Sequence, residues 1–499
     1  MNIAKNLERS AFYFPDRPVL SEKSSETSYA QLNDRANRVA TALIKIGITP
    51  GDYIGLCAPN SIDWIAFYFG VLKAGAVAVT LSSLLKGRGL SSLINHAKPR
   101  IIFTYDGKLN ELAELRGDEC LIKIISPEGD LNFAQLLEMG SSSFKTIDRD
   151  RSDTAAILYT GGTTATPKGV MLTHENINTA IQNVVFHERS AKEDRALLFL
   201  PLSHVFGQMH IMNATILSAG CLEMIPAFDL ERVLDLMTNG RVTKFFAVPT
   251  LYFRFLTVKR LKEKLGAVRY CFSAAASMAA EVIRQWKERT GLAIFESYGM
   301  TESASMLTYN HYSHHVIGSV GTPVPGAEIQ IRDESGKELG VGDKGEICIR
   351  ARNIMKGYLN NPEVNETAFW NGEWFRSGDI GLLDDNDYLY IIDRLKDMII
   401  TGGENVYSRE VEEVLYTRPE VQECAVIGLP DREWGERVTA FLLLKPGEHF
   451  DKDIVHAYMK SRLAPFKVPK EYVTVIDLPR SPAGKVLKRE LKKQYLDQP

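Results

Sequence analysis

The sequence predicts an α/β protein: a large N-terminal domain followed by a small α+β domain. Three observations carry that reading. The chain has 499 residues, too many for one ordinary hydrophobic core. Helix-period stretches alternate with short runs rich in Val, Ile and Phe, the pattern of βαβ units on a mostly parallel sheet. Beyond Gly318 the texture changes to glycine-punctuated β segments, and near Arg394 it changes again.

Taken in order, the first sub-lobe runs from about Tyr29 to Thr104. A helical "YAQLNDRANRVATALIKIGI" leads to a strand "DYIGLCAP", a second helix, and the strands "AVAVTL" and "RIIFTY". The alternation resumes after Asp153, with "TAAILYT", "RALLFLPL", "CLEMIP", "KFFAVP" and "VRYCFSA" as strands of a second parallel-rich sub-lobe. A β-rich sub-lobe follows, built on "AEIQIRDESGKEL", "GEICIRA" and "DYLYIID". From Arg394 onward come a helix "SREVEEVLYTRP", strands "ECAVIGLP" and "RVTAFLLLK", a helix "DKDIVHAYMKSRL" and a strand "EYVTVIDLP". The expected domains are therefore 1–393 and 394–499. The second is expected to move on the short charged linker "DRLKD" (Asp393–Asp397), which suits a hinge better than a loose tether.

Composition narrows the class. Hydrophobic residues make up 45% and charged residues 24%, values typical of a soluble globular protein. A formal charge of −3 gives no broad basic field, so a nucleic-acid polymer is not an expected partner. Cys57, Cys120, Cys221, Cys271, Cys348 and Cys424 are scattered without a C-x-x-C pair, which disfavours zinc, a redox dithiol or a disulfide framework and suits a reducing cytoplasm. The N-terminus breaks early with charges and prolines, unlike a signal peptide. The most apolar stretch, "WIAFYFGVLKAGAVAVTL", carries Lys73 and two glycines. It reads as a buried helix turning at Gly75 into a strand, so no integral membrane segment is expected.

The stretch "YTGGTTATPKGV" (Tyr159–Val170) has the makings of a phosphate cradle. Its glycines free backbone N–H groups to approach an anion, and Thr160, Thr163 and Thr164 add hydroxyl donors. It is not the common G-x-x-x-x-G-K-[ST] loop. With Lys168 aligned, Gly162 takes the first position, but Pro167 replaces the second glycine and Gly169 the metal-binding hydroxyl.

Further motifs follow in order: "LPLSHVFGQ", "SAAASM", "YGMTES", "VGTPVPG", "GEICIRARNIMKGY", "WFRSGDIG", "DRLKDMIITGGENVYSREVE" and "PRSPAGKVLKREL". On this ordered set, which spans essentially the whole chain, the protein resembles the adenylate-forming superfamily of acyl-CoA synthetases, aryl-CoA ligases, luciferases and peptide-synthetase adenylation domains. The resemblance implies a two-step ligation. A carboxylic acid is joined to AMP with loss of pyrophosphate, and a thiol then displaces AMP.

It also implies residue roles. Thr160, Gly161, Gly162, Thr163, Thr164 and Lys168 would cradle the β- and γ-phosphates of ATP. Ala274, Ala275 and Ala276 would lie against adenine, with Tyr298, Gly299 and Met300 beside the nucleotide. Thr301 would touch the α-phosphate, and Glu302 with Thr160 would hold Mg2+, a hard cation that prefers oxygen ligands. Asp379, assisted by Arg394, would bind the ribose hydroxyls. His204 would stand as a gate beside the acyl carboxylate. Lys485 would reach the α-phosphate during adenylation, then leave as the small domain rotates about Lys396, bringing in Gly402 and Gly403 to line the passage of the CoA pantetheine arm. Outside such motifs these residue types have plainer readings: an exposed C-terminal lysine is usually solvated, an Asp after Gly is commonly a turn residue, and a lone histidine among apolar residues is usually a satisfied core group. The pair His314–His315 has no motif context and reads as surface.

Several positions depart from the family pattern: Gly161, Ala165, Ser277, Ser297 and Ser408. Gly299 stands where acetate-specific relatives carry a tryptophan, so a longer acid is expected. "LPLSHVFGQMH" lacks the aspartate with which amino-acid-activating relatives pair a buried ammonium. Phe206, His210, Ala275 and Ser297 would line the acid pocket. The expected substrate is a medium- or long-chain fatty acid, and an aryl acid is the second choice. The expected thiol acceptor is CoA, with an acyl carrier protein as the runner-up. A nucleotide-binding interaction protein without chemistry is the competing reading from a different class. The sequence is also compatible with a homodimer.

Overall fold

The computed structural model describes residues 1–23, 25–116, 121–160, 168–274, 276, 278–481 and 485–497. Two seven-stranded sheets form the bulk of the N-terminal part. The first runs in the order Gly357–Tyr358, Lys168–Thr173, Thr154–Thr160, Val77–Thr80, Tyr53–Cys57, Ile101–Thr104, Lys123–Ile125. Its inner strands are parallel, with Ile54 opposite Ala78 and Ala78 opposite Ala156. The second runs Ile294–Glu296, Tyr270–Ser273, Lys244–Ala247, Arg195–Leu198, Cys221–Met224, Pro18–Glu22, Ser25–Ser28, and is parallel except for its last hairpin. The expected α/β class with two parallel-rich sub-lobes is what the structure has.

One continuous core joins both sheets. The helices Tyr29–Lys45 and Ile62–Lys73 lie in it together with strand residues of each sheet, such as Ile54, Ala78, Leu197 and Leu222. The first helix starts at a capping box, Ser28 accepting from the Gln31 N–H and the Gln31 side chain accepting in return. The second is the apolar stretch singled out in the sequence. Ser61 caps it, Gly75 turns the chain at φ +72°, and Lys73 stays buried by pairing with Glu8 at 2.6 Å. A Cβ on Gly70 would come within 2.4 Å of Val39, so glycine lets the two helices close together. Among the described residues no helix is long and apolar enough to cross a membrane.

The β-rich part is an antiparallel sheet of Ala327–Arg332, Gly345–Ala351, Trp374–Leu383, Phe369–Trp370 and Leu389–Arg394. Its last strand ends by pairing Arg394 with Asp379. The 3-10 turn Leu395–Asp397 then leads into a separate sheet whose long hairpin, Val421–Asp431 with Gly435–Leu444, packs on its own core of Val411, Leu415, Val426, Val438, Val455 and Met459. The chain therefore ends in a separate α+β domain.

Candidate functional site

The site gathers around a tight corner at Tyr298–Met306. Two residues of strand, Gly299–Met300, pair back on Ser305–Met306, and the 3-10 turn Thr301–Ser303 carries Thr301 and Glu302 at the tip. Ser303 Oγ staples the corner, accepting from the Met300 N–H at 3.0 Å and donating to the Ser305 carbonyl at 2.6 Å. A Cβ on Gly299 would sit 2.1 Å from the Ser305 carbonyl oxygen. In this backbone the position leaves no room for a side chain, because two strands approach closely.

Asp379 reaches the corner from the strand Trp374–Leu383. Its carboxylate accepts from Tyr298 Oη at 2.7 Å and pairs with Arg394 Nε at 3.2 Å. The register of the two strands sets Asp379 against Arg394, so the sheet brings the two predicted residues together. Glu302 accepts from Tyr358 Oη at 2.9 Å, and Lys168 Nζ lies 4.9 Å from the centre of the same Tyr358 ring. Burial raises the Glu302 carboxyl above its ordinary value, outweighing the Tyr358 hydrogen bond and the Arg394 charge. A hard-oxygen ligand whose burial is incompletely offset suits a divalent cation. Tyr358, from "KGY", is the tie between Glu302 and Lys168 that sequence reasoning missed; its place inside a motif was the available signal.

Thr160 and Lys168 face each other across an antiparallel hairpin, Thr154–Thr160 with Lys168–Thr173. The predicted cradle thus links strand to strand, unlike a loop that opens a helix. Gly161, Gly162, Thr163, Thr164 and Ala165 lie outside the described residues, as do Ala275 and Ser277. Ala274 and Ala276 follow directly on the strand Tyr270–Ser273 and are half-buried.

Lys485 comes from the C-terminal domain. Its backbone is held by Ser481, whose N–H donates to the Lys485 carbonyl at 2.8 Å and whose Oγ accepts from the Lys485 N–H at 3.2 Å. Arg480 anchors this segment through a two-pronged pair with Glu423, at 3.0 and 2.6 Å. The amine is pushed down to about 7, first by burial and then by the Arg394 charge, with Asp379 and Asp397 opposing. Arg394 and Asp379, two of the charges that shift it, belong to the site described above. His204 is pushed down to about 4 by burial and by the Lys485 charge. Its Nδ1 accepts from the Phe206 N–H at 3.2 Å, so the neutral ring carries its proton on Nε2.

Lys396 lies in the turn Leu395–Asp397, its ammonium also lowered by burial and by Arg394. Gly402 and Gly403, at φ +60° and +84°, form the two-residue turn of the hairpin Ile399–Thr401 with Glu404–Val406. They are exposed, and Gly402 packs against Trp434. This packing groups the glycines with Trp434 rather than with the Asp379–Lys485 cluster. Several contacts among the described residues hold the two domains in this arrangement. Lys344 pairs with Glu410 at 2.7 Å, Phe253 stacks on Tyr416 with centroids 5.5 Å apart, and Asp393 accepts from Ser408 Oγ at 2.8 Å. Ser408 also donates its N–H to Asp393, a bond that a proline at that position could not make.

His210 falls elsewhere than a plain pocket wall. It is 3% exposed, with Nε2 on Glu188 at 2.7 Å and Nδ1 on Ser305 Oγ at 2.9 Å. Phe206 and His210 lie on one π-helical segment, Phe206–Asn213, with ring centroids 5.2 Å apart. His315 is part-buried against Phe295 at 5.4 Å, and its ring is lowered by burial, so it is less exposed than the sequence suggests.

Residues 7–359 match the family model described as AMP-binding enzyme, and residues 410–485 match its C-terminal domain. A feruloyl-CoA synthase of Amycolatopsis sp is 33% identical over 98% of each chain. A long-chain-fatty-acid–CoA ligase of Mycobacterium tuberculosis is 33% identical, covering 99% of this chain and 98% of its own. An oxalate–CoA ligase of Arabidopsis thaliana is 31% identical over 99% and 98%. Among solved structures, ATP-bound MatB from Rhodopseudomonas palustris is 36% identical with a TM-score of 0.94, covering 100% of this chain and 99% of its own. The apo form of the same protein, with the same identity and coverage, scores 0.83.

Proposed function

The chain belongs to the adenylate-forming superfamily of AMP-binding enzymes and is an AMP-forming acid–CoA ligase, and on that premise we propose how its residues divide the two half-reactions. In the first, a carboxylate oxygen attacks the α-phosphorus of ATP. The bond to the β-phosphate breaks and pyrophosphate leaves. Negative charge grows on the α-phosphate, and the ammonium of Lys485 and the hydroxyl of Thr301 meet it. Asp379, oriented by Tyr298 and Arg394, takes the ribose hydroxyls. Lys168 and the Thr160 side of the hairpin hold the departing phosphates. Glu302 with Thr160 would hold magnesium, which when bound would neutralise charge on the phosphates. His204, neutral, borders the acyl carboxylate without adding a competing charge.

In the second half-reaction the sulfur of CoA attacks the acyl carbon, and the bond to AMP breaks. The thiol proton goes to solvent, and AMP leaves with the bonding electrons. We assign residues 394–499 to a unit that turns about Lys396 between the steps, withdrawing Lys485 and bringing the Gly402–Gly403 hairpin to the acyl group. The higher likeness to the ATP-bound than to the apo relative agrees with the arrangement here serving the first step.

What supports the reading is the electrostatic coupling of Lys485, from the C-terminal unit, to Asp379 and Arg394, and the effect of its charge on His204. Replacing Lys485 by alanine is expected to slow acyl-AMP formation by roughly 100-fold or more, the scale of a lost charge stabiliser. Thioester formation from preformed acyl-AMP should be little changed. Equal losses in both steps would contradict the division. The relatives' names span feruloyl, long-chain-fatty-acid and oxalate substrates, so the medium- or long-chain fatty acid, with an aryl acid as second choice, rests on the sequence alone. CoA is the acceptor; neither a carrier protein nor a homodimer is part of this proposal. The buried free thiols of Cys57, Cys221, Cys271, Cys348 and Cys424 fit the cytoplasmic setting we propose.

A further inference from the structure

We propose that Asp393, Ser408 and Lys488 form a latch that holds the small domain in the adenylating arrangement and seats Lys485 there. The inference rests on the ligase reading, which has that domain turn about Lys396 between the two half-reactions. Ser408 and Lys488 are positioning residues, acting through the segment that carries Lys485.

The latch is built on a helix without a cap of its own. The helix Ser408–Tyr416 opens at Tyr407, whose side chain makes no capping bond. The other domain supplies the cap. One Asp393 oxygen accepts from both the N–H and the Oγ of Ser408, the latter at 2.8 Å, and the other oxygen accepts from the Arg394 N–H at 2.8 Å. A carboxylate in that place satisfies an N–H left free by the first helical turn and meets the positive end of the helix dipole. Asp393 and Ser408 are both buried, so water does not compete for the bonds.

The Ser408 hydroxyl also ties the cap to the lysine segment. Lys488 Nζ donates to Ser408 Oγ at 2.5 Å and pairs at 2.7 Å with Glu412, which accepts from the Val426 N–H at 2.8 Å. Burial would lower the Lys488 ammonium, but Glu412 and Asp393 hold it above its ordinary value, so it stays a donor. Lys488 follows Lys485 by three residues, and Arg480 pins the other flank to Glu423 at 2.6 Å. A continuous path thus runs from Lys485 through Lys488 and Ser408 to Asp393, whose neighbour Arg394 pairs with Asp379.

When the domain turns, Asp393 stays with the large unit while Ser408, Lys488 and Glu412 leave together. The helix loses its cap, and a buried carboxylate loses two donors. The Lys344–Glu410 pair across the same face is part-exposed and adds little. The Asp393 bonds are therefore a main cost of turning.

Ser408→Pro removes the N–H and the hydroxyl together. Proline suits the first position of a helix when the residue before it is extended, as Tyr407 is at φ −84° and ψ 116°. The assay compares pyrophosphate exchange with acetate, hexanoate, palmitate and benzoate against thioester formation from the preformed adenylate of whichever acid supports exchange. Ser408→Pro is expected to slow exchange relative to thioester formation by roughly tenfold or more, the scale of one hydrogen bond to a charged group. Ser408→Ala keeps the N–H but cuts the link to Lys488, and should shift the ratio the same way by less. Lys488→Met should do likewise; if it does not fold with Glu412 unpaired, Ser408→Ala decides alone. A general loss of structure slows both half-reactions together. Equal losses in both, or a ratio unchanged in Ser408→Pro or in both of the other variants, overturns the latch and leaves the ligase reading standing. No exchange with any acid in the wild type overturns the ligase reading, and the latch with it.

Discussion

Lys485 should take up a proton when ATP binds. In the nucleotide-free site its amine is held down to about 7 by burial and by Arg394. A triphosphate beside it returns the ammonium toward the ordinary value of about 10.4. At pH 8, one unit above the free site's value of about 7, about a tenth of the amine carries its proton, so binding should draw in about 0.9 proton per site. The sign follows from the depressed value. Affinity for ATP should fall with rising pH above about 7, approaching tenfold per unit, and level off where the ammonium of the complex would itself deprotonate. Calorimetric titration with a non-hydrolysable ATP analogue at pH 8, in buffers of different ionisation enthalpy, reads the uptake directly. The analogue's own phosphates, with a second pKa of about 6, are fully ionised there. Lys485→Met should abolish the buffer dependence. No uptake in the wild type, or the same uptake in Lys485→Met, would refute the claim that the free protein holds this lysine in the site.

Two further expectations concern other buried pairs. Tyr298→Phe removes the 2.7 Å hydrogen bond to Asp379; a bond to a charged group is worth about 1.5–3 kcal/mol, so the Kd for ATP should rise roughly 10- to 100-fold with little change in folding stability, as read by calorimetry and thermal unfolding. Lys244→Met leaves Glu188 buried without its main partner. A loss of about 3–5 kcal/mol in folding stability is expected near neutral pH, measured by urea unfolding, and a loss within error would show that the ion cluster does not support the core.

The alternation of helices and β runs made both large sheets readable, because parallel strands buried on both faces write themselves as short apolar runs. The corner holding Tyr298, Thr301 and Glu302 was readable for a different reason: its residues are contiguous in one motif. What escaped was chiefly non-local. Tyr358 joins Glu302 to Lys168, and Glu188 joins His210 to Lys244, across 56, 22 and 56 positions for the hydrogen-bonded pairs. Such pairings depend on sheet order, which no local pattern records. The strand Lys168–Thr173 was hidden by the prolines and glycines of the loop before it. Gly299 was legible as a glycine but not as the point where its backbone closes on Ser305.

The central claim is that this chain makes an acyl adenylate and passes the acyl group to CoA. It is tested most directly by supplying ATP, magnesium and radiolabelled pyrophosphate with each of a set of aliphatic, fatty and aryl acids, then adding CoA. The account predicts label entering ATP only in the presence of an accepted acid, and AMP with acyl-CoA in equal amounts once CoA is present. Acid-independent exchange, ADP in place of AMP, or no thioester with any acid would contradict it.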